Sequence, residues 1–228
     1  MSNVKVNGNT YNDVTSVKLI KADGSGYAEY KEGAEATDTL LDKLLNRQHL
    51  GDIELDDASP CLEWLSGYEF GTLSCPYATT LKGSLERVTA ENVLLPNIST
   101  VNPTSTGNNG WADYGFMNCK ITGVLDLSKL ATVQNNSVKF TASQIGTLKL
   151  GSYFPSANIW ASSVITNLVV YGLTDANFGN SGFWTYFGGA TITNLYVPAS
   201  VKDAVQAKIT EGTLTKITNL YSIDEWED

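Results

Sequence analysis

A hexapeptide recurs along the second half of this chain. It reads I-T-N-L-V-V at residues 165–170, I-T-N-L-Y-V at 192–197 and I-T-N-L-Y-S at 217–222, with a looser copy, I-G-T-L-K-L, at 145–150. Such a repeat constrains the fold more than composition does, because each unit must bury its apolar positions against the next unit. The chain is therefore predicted to wind into a solenoid.

Three further signals follow the repeat. Its anchors are aligned at Leu85, Ile121, Ile145, Ile165, Ile192 and Ile217, which gives a mean period of about 26 residues, inside the roughly 20–29 of leucine-rich repeats. Each anchor has an apolar residue three positions later, namely Val88, Val124, Leu148, Leu168, Leu195 and Leu220. An aromatic residue lies five positions before four anchors, as Phe116, Phe140, Trp160 and Phe187, which predicts one large core side chain per coil. The Ile121 repeat is displaced by one residue at its end, which indicates a β-bulge.

Two short motifs resemble the treponemal-type (BspA-like) leucine-rich repeat family. Phe116-Met117-Asn118-Cys119 and Leu95-Pro96-Asn97-Ile98 match its repeat unit, and the segment 195–205 resembles its closing strand and short cap helix. The resemblance covers residues 85–228 and more loosely begins at residue 50; the stretch 56–84 and the insert 102–113 depart from it. It implies an α/β repeat solenoid, a right-handed leucine-rich-repeat-like coil with a parallel sheet, rich in strands and poor in helices.

The N-terminal segment has a different pattern. Asn7-Gly8 between alternating residues predicts a tight hairpin, and further strands are expected around Val17 and from Tyr27 to Tyr30. Residues 1–36 are therefore predicted to form a small antiparallel β element that packs on the solenoid or on a second copy of the chain. The solenoid is predicted to occupy 37–228, with a helix at 38–49 and the segment 199–228 as its caps. The opening V-x-V-N-G-x-x-Y is similar to openings of phage and prophage structural proteins.

Charge and cysteine content narrow the range of partners. The formal net charge of −9 argues against nucleic acid and anionic membranes, and no apolar run reaches the length of a membrane span. No secretory signal is recognised, although the family resemblance favours a cell-surface or virion-associated protein. Cys61, Cys75 and Cys119 form no C-x-x-C pair, so buried free thiols are expected; a Cys61–Cys75 disulfide is the other interpretation.

The residues between the apolar strand positions are the candidate binding residues. One outward row is predicted to contain Arg87, Thr147, Asn167, Asn194 and Asn219, and the next row Thr89, Lys149, Val169, Tyr196 and Tyr221, with Tyr171 one step beyond. The selected binding candidates are Arg87, Lys149, Asn167, Tyr171, Asn194, Tyr196, Asn219 and Tyr221. Stacked tyrosines suit a protein or glycan partner. In the competing interpretation, the Asn row and the Tyr pair only satisfy each other across neighbouring strands.

Other features of the sequence each allow two interpretations. Trp111 and Trp184 could form an exposed carbohydrate platform or close the coil core. The acidic run 52–57 could place carboxylates for calcium, but it lacks a known loop spacing and is expected to be a solvated face. Residues 224–228 are expected to be a frayed acidic end.

Catalysis finds little support in the sequence. His49 is the single histidine, and no nucleophile elbow, phosphate loop, dinucleotide fingerprint or zinc pattern occurs, so no cofactor or metal is expected. The predicted function is non-catalytic binding or adhesion to a protein or glycan on a host or neighbouring cell surface. A phage or prophage virion component is the first alternative, and a carbohydrate-active enzyme on a β-helix is the second, because a glycosidase needs only two carboxylates.

Overall fold

Two antiparallel hairpins open the chain. The computed structural model describes residues 2–6, 9–14, 16–20, 27–31, 49–55, 62–81, 85–101, 114–133, 138–152, 162–174 and 189–227. Strand β1 (Ser2–Val6) pairs with β2 (Asn9–Val14), and β3 (Ser16–Ile20) pairs with β4 (Tyr27–Lys31). The first pair flanks Asn7-Gly8, so the expected antiparallel β element is confirmed. The predicted helix at 38–49 lies outside the described residues except for His49, which is not helical.

The described residues from 53 onwards form three parallel sheets. Their strands in chain order are β5 (Ile53–Glu54), β6 (Glu69–Ser74), β7 (Thr80–Leu81), β8 (Thr89–Leu94), β9 (Thr100–Val101), β10 (Tyr114–Gly115), β11 (Lys120–Leu127), β12 (Thr132–Val133), β13 (Val138–Lys139), β14 (Gln144–Leu150), β15 (Val164–Val170), β16 (Thr191–Val197) and β17 (Ile217–Ser222). The main sheet has eight strands in the order β17-β16-β15-β14-β11-β8-β6-β5. Smaller sheets contain β12-β9-β7 and β10-β13. Successive coils therefore stack strand on strand, and the predicted solenoid is confirmed.

Helices are few in the described part of the chain. One α-helix, α1 (Ala199–Thr210), connects β16 to β17 and buries Val201 and Val205. Two short 3-10 turns cover Leu62–Leu65 and Ile223–Glu225. The strand-rich, helix-poor architecture that the family resemblance implies is confirmed for these residues.

The register of the main sheet corrects one anchor of the repeat. Ile121 pairs with Ala90, and Ala90 pairs with Phe70, so Leu85 is not the equivalent of Ile121. Leu85 instead lies five residues before Ala90, in the position that Phe116 occupies before Ile121. The prediction was wrong because the positions 85, 88 and 90 are all apolar, and periodicity alone cannot choose among them. The repeat extends before Leu85, in agreement with the looser start at residue 50, since Ile53 pairs with Leu73.

A large side chain fills the same core position in four of the described coils. Leu65, Leu85, Phe116 and Phe140 are all buried five residues before their strand anchors, and the rings of Phe116 and Phe140 stack at 5.9 Å. The predicted aromatic column is thus confirmed for these two rings, and leucines replace them in the earlier coils. Trp160 and Phe187 lie outside the described residues.

The turn after each of these core residues fixes the next strand. The residue three before the anchor has a positive φ in five coils, at Gly67, Arg87, Asn118, Ala142 and Ser162. The following residue is buried in the later coils and donates a hydrogen bond to the preceding coil. Cys119 Sγ donates to the Leu85 carbonyl at 3.0 Å, Ser143 Oγ to that of Phe116 and Ser163 Oγ to that of Phe140. These bonds satisfy buried carbonyls and hold neighbouring coils in register.

Strand β11 contains the bulge expected from the sequence. The register with both neighbouring strands shifts after Ile121, so Leu125, and not Val124, pairs with Leu148 and Val93. Val124 is half-buried, which corrects its prediction as a core residue. The physical reason is the Asn92 carboxamide, whose Oδ1 accepts the Val124 N–H at 2.8 Å. A Cβ at Gly123 would lie 2.3 Å from that oxygen, so the extra residue must be small.

Candidate functional site on the last coils

The predicted asparagine row forms a hydrogen-bonded ladder across four coils. Thr147, Asn167, Asn194 and Asn219 face one another in register, and we call these four residues the amide ladder. Asn167 Nδ2 donates to Thr147 Oγ1 at 3.2 Å, Asn194 Nδ2 to Asn167 Oδ1 at 2.8 Å and Asn219 Nδ2 to Asn194 Oδ1 at 2.9 Å. Asn167 and Asn194 therefore use their side chains mainly on each other, as the competing interpretation of the sequence held.

Equivalent polar residues continue the row in the first coils, where sequence reasoning missed them. Asn92 Nδ2 donates to Thr72 Oγ1 at 3.3 Å, and Asp52 Oδ1 accepts the Thr72 N–H at 2.7 Å. Arg87 does not belong to this row: it lies in an exposed turn with a φ of 54°, and Asn92 occupies the expected place. The available signal was Asn92-Val93, which matches the Asn-Leu of the hexapeptide.

The second predicted row is in register but is not a continuous exposed surface. Strands β14 to β17 align four residues of this row, namely Lys149, Val169, Tyr196 and Tyr221. Thr89 does not belong to the row, because it pairs with Lys120 at the start of β11. Val169 has no exposed surface, so its prediction as sheet surface was wrong and the sheet is covered at that position. Tyr171, just after β15, is 40% exposed. The accessible aromatic residues of this face therefore lie towards the last coils.

The ring of Tyr196 contacts two other aromatic rings there. The rings of Tyr196 and Tyr221 stack with centroids 5.0 Å apart and planes at 21°, and the indole of Trp226 meets Tyr196 edge-on at 4.9 Å and 72°. All three side chains are half-buried. We call Tyr196, Tyr221 and Trp226 the aromatic cluster. Sequence reasoning identified the two tyrosines but assigned Trp226 to a frayed end.

The segment after β17 is held by a capping box and an ion pair. Ser222 Oγ accepts the Asp224 N–H, while the Ser222 N–H donates to Glu225 Oε1 at 2.7 Å. Lys202 Nζ of α1 lies 3.0 Å from the same Glu225 oxygen. These contacts order the 3-10 turn and bring Trp226 onto Tyr196, so the expectation of a frayed end at residues 224–227 was wrong.

Local electrostatics shift the pKa values of Tyr196 and Glu225 in opposite directions. The hydrogen bond from the Ser222 backbone, and then that from Lys202, hold the pKa of Glu225 below its ordinary value. Burial raises the pKa of Tyr196, and the nearby Tyr221 and Glu225 add to the rise. The Tyr196 hydroxyl is thus protonated at neutral pH and can donate a hydrogen bond beside a carboxylate.

Other candidate sites receive no support from the described residues. No group of three or more potential metal ligands occurs among them. In the proposed calcium run, Asp52 serves the strand backbone as described above, and residues 56 and 57 lie outside the described ranges. His49 Nδ1 accepts the Gly51 N–H at 3.0 Å. Cys75 and Cys119 are buried, and Cys61 lies outside the described residues, so the choice between free thiols and a Cys61–Cys75 disulfide stays a prediction. Trp111 and Trp184 lie outside the described residues.

Comparisons with known proteins give no match for the chain. No protein-family model, no curated protein and no solved structure matches it. In the described ranges, none of the helices has the length and apolar character needed to cross a membrane.

Proposed function

We propose that this chain is a non-catalytic binding or adhesion protein that contacts a protein or glycan partner through the aromatic cluster. The observation that carries the proposal is the contact of Tyr196 with both Tyr221 and Trp226 on the last coils, with all three side chains half-buried. Aromatic rings held in this way provide rigid amphipathic contact area at a small entropic cost.

The surrounding structure supports this use of the cluster. The amide ladder beside the cluster links its side chains from coil to coil, and the Lys202–Glu225 pair fixes the segment that carries Trp226. A partner therefore meets a preorganised surface, which reduces the ordering cost of binding. The resemblance to BspA-like repeats, which occur on bacterial surfaces and in phage tails, favours a partner on a cell surface and extends the same proposal to a tail-associated role.

A binding experiment with matched variants tests the proposal. Glycan arrays and immobilised cell-surface proteins are probed with the wild-type chain, with Tyr196→Ala/Tyr221→Ala, and with Tyr77→Ala. Tyr77 is 64% exposed and lies in the turn after β6, so it controls for the loss of an exposed tyrosine. The double variant is expected to bind any captured partner at least ~10-fold more weakly, as for interface hot spots.

Two further measurements make the result decisive. Circular dichroism must show that the double variant keeps its strand content, and Trp226→Ala should weaken the same interaction. A partner that binds the wild-type chain and the double variant equally well would refute the cluster as the contact surface.

A further inference from the structure

The last strand of the main sheet, β17, has the same sequence motif as the two strands before it, but its side chains are less buried. Strands β15, β16 and β17 all contain I-T-N-L. The isoleucine of the motif is 0% exposed in β15 and β16 but 7% exposed in β17. The leucine is 0% exposed in β15 and β16 but only partly buried in β17. The asparagine changes in parallel from half-buried to exposed. Since the three sequences are the same, the difference reports that β17 lacks the neighbour that covers β15 and β16.

The amide ladder also ends with an open acceptor on β17. Asn167 Oδ1 and Asn194 Oδ1 each accept the carboxamide N–H of the following coil. Asn219 donates to Asn194 in the same way, but among the described residues nothing donates to Asn219 Oδ1. Its carboxamide is therefore set to accept one more hydrogen bond from a strand in the next position.

The described residues after β17, 223–227, do not supply that strand. Trp226 contacts Tyr196 on β16, so the C-terminal segment turns back over the sheet instead of continuing past β17. Helix α1 contacts β17 but precedes it in the chain, and Thr218 and Asn219 stay exposed beside it. An unpaired strand edge of this kind is a template for one further strand.

We propose that β17 binds an extended segment of another polypeptide as an additional parallel strand. The segment carries the pattern apolar-x-Asn-apolar-aromatic. Its asparagine Nδ2 donates to Asn219 Oδ1, its apolar residues cover Ile217 and Leu220, and its aromatic ring stacks on Tyr221, as Tyr221 stacks on Tyr196. The segment is parallel because only this direction places its aromatic residue next to Tyr221 when its asparagine faces Asn219.

The opposite edge of the sheet disfavours a second copy of the chain as the occupant. At that edge, Asp52 lies just before β5 at the amide position of the register, and Glu54 of β5 lies at the tyrosine position. Stacked head to tail, Asp52 would face Asn219, and a carboxylate has no N–H to donate to the open Oδ1. Glu54 would likewise bring a charge against the ring of Tyr221. A separate segment with an asparagine fits where β5 does not.

A labelled peptide tests this proposal on the intact chain. The probe has the sequence of residues 191–197, flanked by lysines for solubility and shown to be monomeric, and its binding is followed by fluorescence anisotropy. The control peptide carries Asn194→Leu, and a second control is scrambled. The wild-type peptide should bind saturably and slow amide hydrogen exchange in β17. Loss of one hydrogen bond should weaken the Asn194→Leu peptide about 5–10-fold.

Protein variants locate the site. Asn219→Ala should weaken the wild-type peptide by a similar factor and leave the Asn194→Leu peptide unaffected, while Tyr77→Ala should change neither. The proposal would be overturned if the wild-type peptide did not bind, if all peptides bound equally well, or if hydrogen exchange slowed only outside β17. Self-association of the chain that the peptide does not displace would also overturn it. The proposal does not depend on the aromatic cluster binding a glycan or protein, and Asn219→Ala leaves the rings of that cluster in place.

Discussion

The stability of the last coils should depend on the side chain of Asn194. This residue lies in the middle of the amide ladder, with hydrogen bonds of 2.8 Å to Asn167 and 2.9 Å from Asn219. Asn194→Ala removes both bonds and leaves one acceptor and one donor without their protein partners. A hydrogen bond contributes about 0.5–1.5 kcal/mol net, and water partly replaces these bonds because the side chain is only half-buried. We expect a loss of about 1–2 kcal/mol in the free energy of unfolding.

Thermal and urea unfolding followed by circular dichroism measure this loss. In a chain of this size, about 1–2 kcal/mol lowers Tm by about 2–8 °C. Thr193→Ala is the matched control, since Thr193 is exposed and precedes Asn194 on the same strand; it should change stability by less than ~0.5 kcal/mol.

A double-mutant cycle sharpens the test. Asn219→Ala alone should be destabilising by about 0.5–1 kcal/mol, because it removes one bond. The stability of the double variant should lie within ~0.3 kcal/mol of that of Asn194→Ala, because Asn194→Ala has already removed the bond between the two residues. Additive effects of the two substitutions, or equal effects of Asn194→Ala and Thr193→Ala, would refute the ladder.

Three other substitutions or reactions test the turns and the core. Ala142→Gly should stabilise the chain by about 0.5–1 kcal/mol in urea unfolding, because Ala142 has a φ of 56°. Ala131→Gly, at an exposed position between strands, should not stabilise the chain. Gly146→Ala should be destabilising by about 1–3 kcal/mol, because its Cβ would lie 2.2 Å from the Thr122 carbonyl oxygen, and an unchanged Tm would contradict that contact. Burial raises the pKa of Cys119 from 9.0 to about 11, so at pH 8 its thiolate fraction and its labelling by a disulfide reagent should fall about 100-fold. The raised pKa also predicts that the free energy of unfolding falls as the pH rises above 9, because the thiol then ionises more readily in the unfolded chain. Peptide mass mapping that finds Cys119 labelled at the rate of a free thiol would show that Cys119 is not buried.

The sequence predicted the fold correctly where the hexapeptide repeats without an inserted residue. Residues 165–170, 192–197 and 217–222 share their pattern, so a common register follows directly, and the structure pairs Asn194 with both Asn167 and Asn219. The aromatic spacing before Ile121 and Ile145 was informative for the same reason, because one coil offers one position of that size.

The first coils were harder because their apolar positions are ambiguous. Ala90 is a small anchor, and the Leu85-x-x-Val88 pattern imitates a strand start. The choice between them depends on hydrogen bonds between coils, such as that from Cys119 to the Leu85 carbonyl, which periodicity does not contain. Asn92 was missed as a consequence of the same misalignment.

The candidate site was predictable only in part. Tyr196 and Tyr221 follow from the repeat, but Trp226 lies beyond it and reaches the cluster through the capping box of Ser222. For Val169, the sequence predicted the outward position in the strand correctly but did not predict that the side chain is buried. Burial of an outward residue depends on what packs over the strand, and a strand pattern carries no information about that.

The register of neighbouring coils underlies both proposed binding surfaces, and a cysteine cross-link tests it directly. Val164 and Thr191 are exposed and paired on β15 and β16, and paired strands lie about 4.8 Å apart, within the roughly 4.4–6.8 Å that a disulfide requires. Thr193 lies two residues further along β16, beyond that range. Mild oxidation should therefore cross-link Val164→Cys/Thr191→Cys and leave Val164→Cys/Thr193→Cys reduced. Preferential cross-linking of the second pair, or of neither pair, would contradict the register.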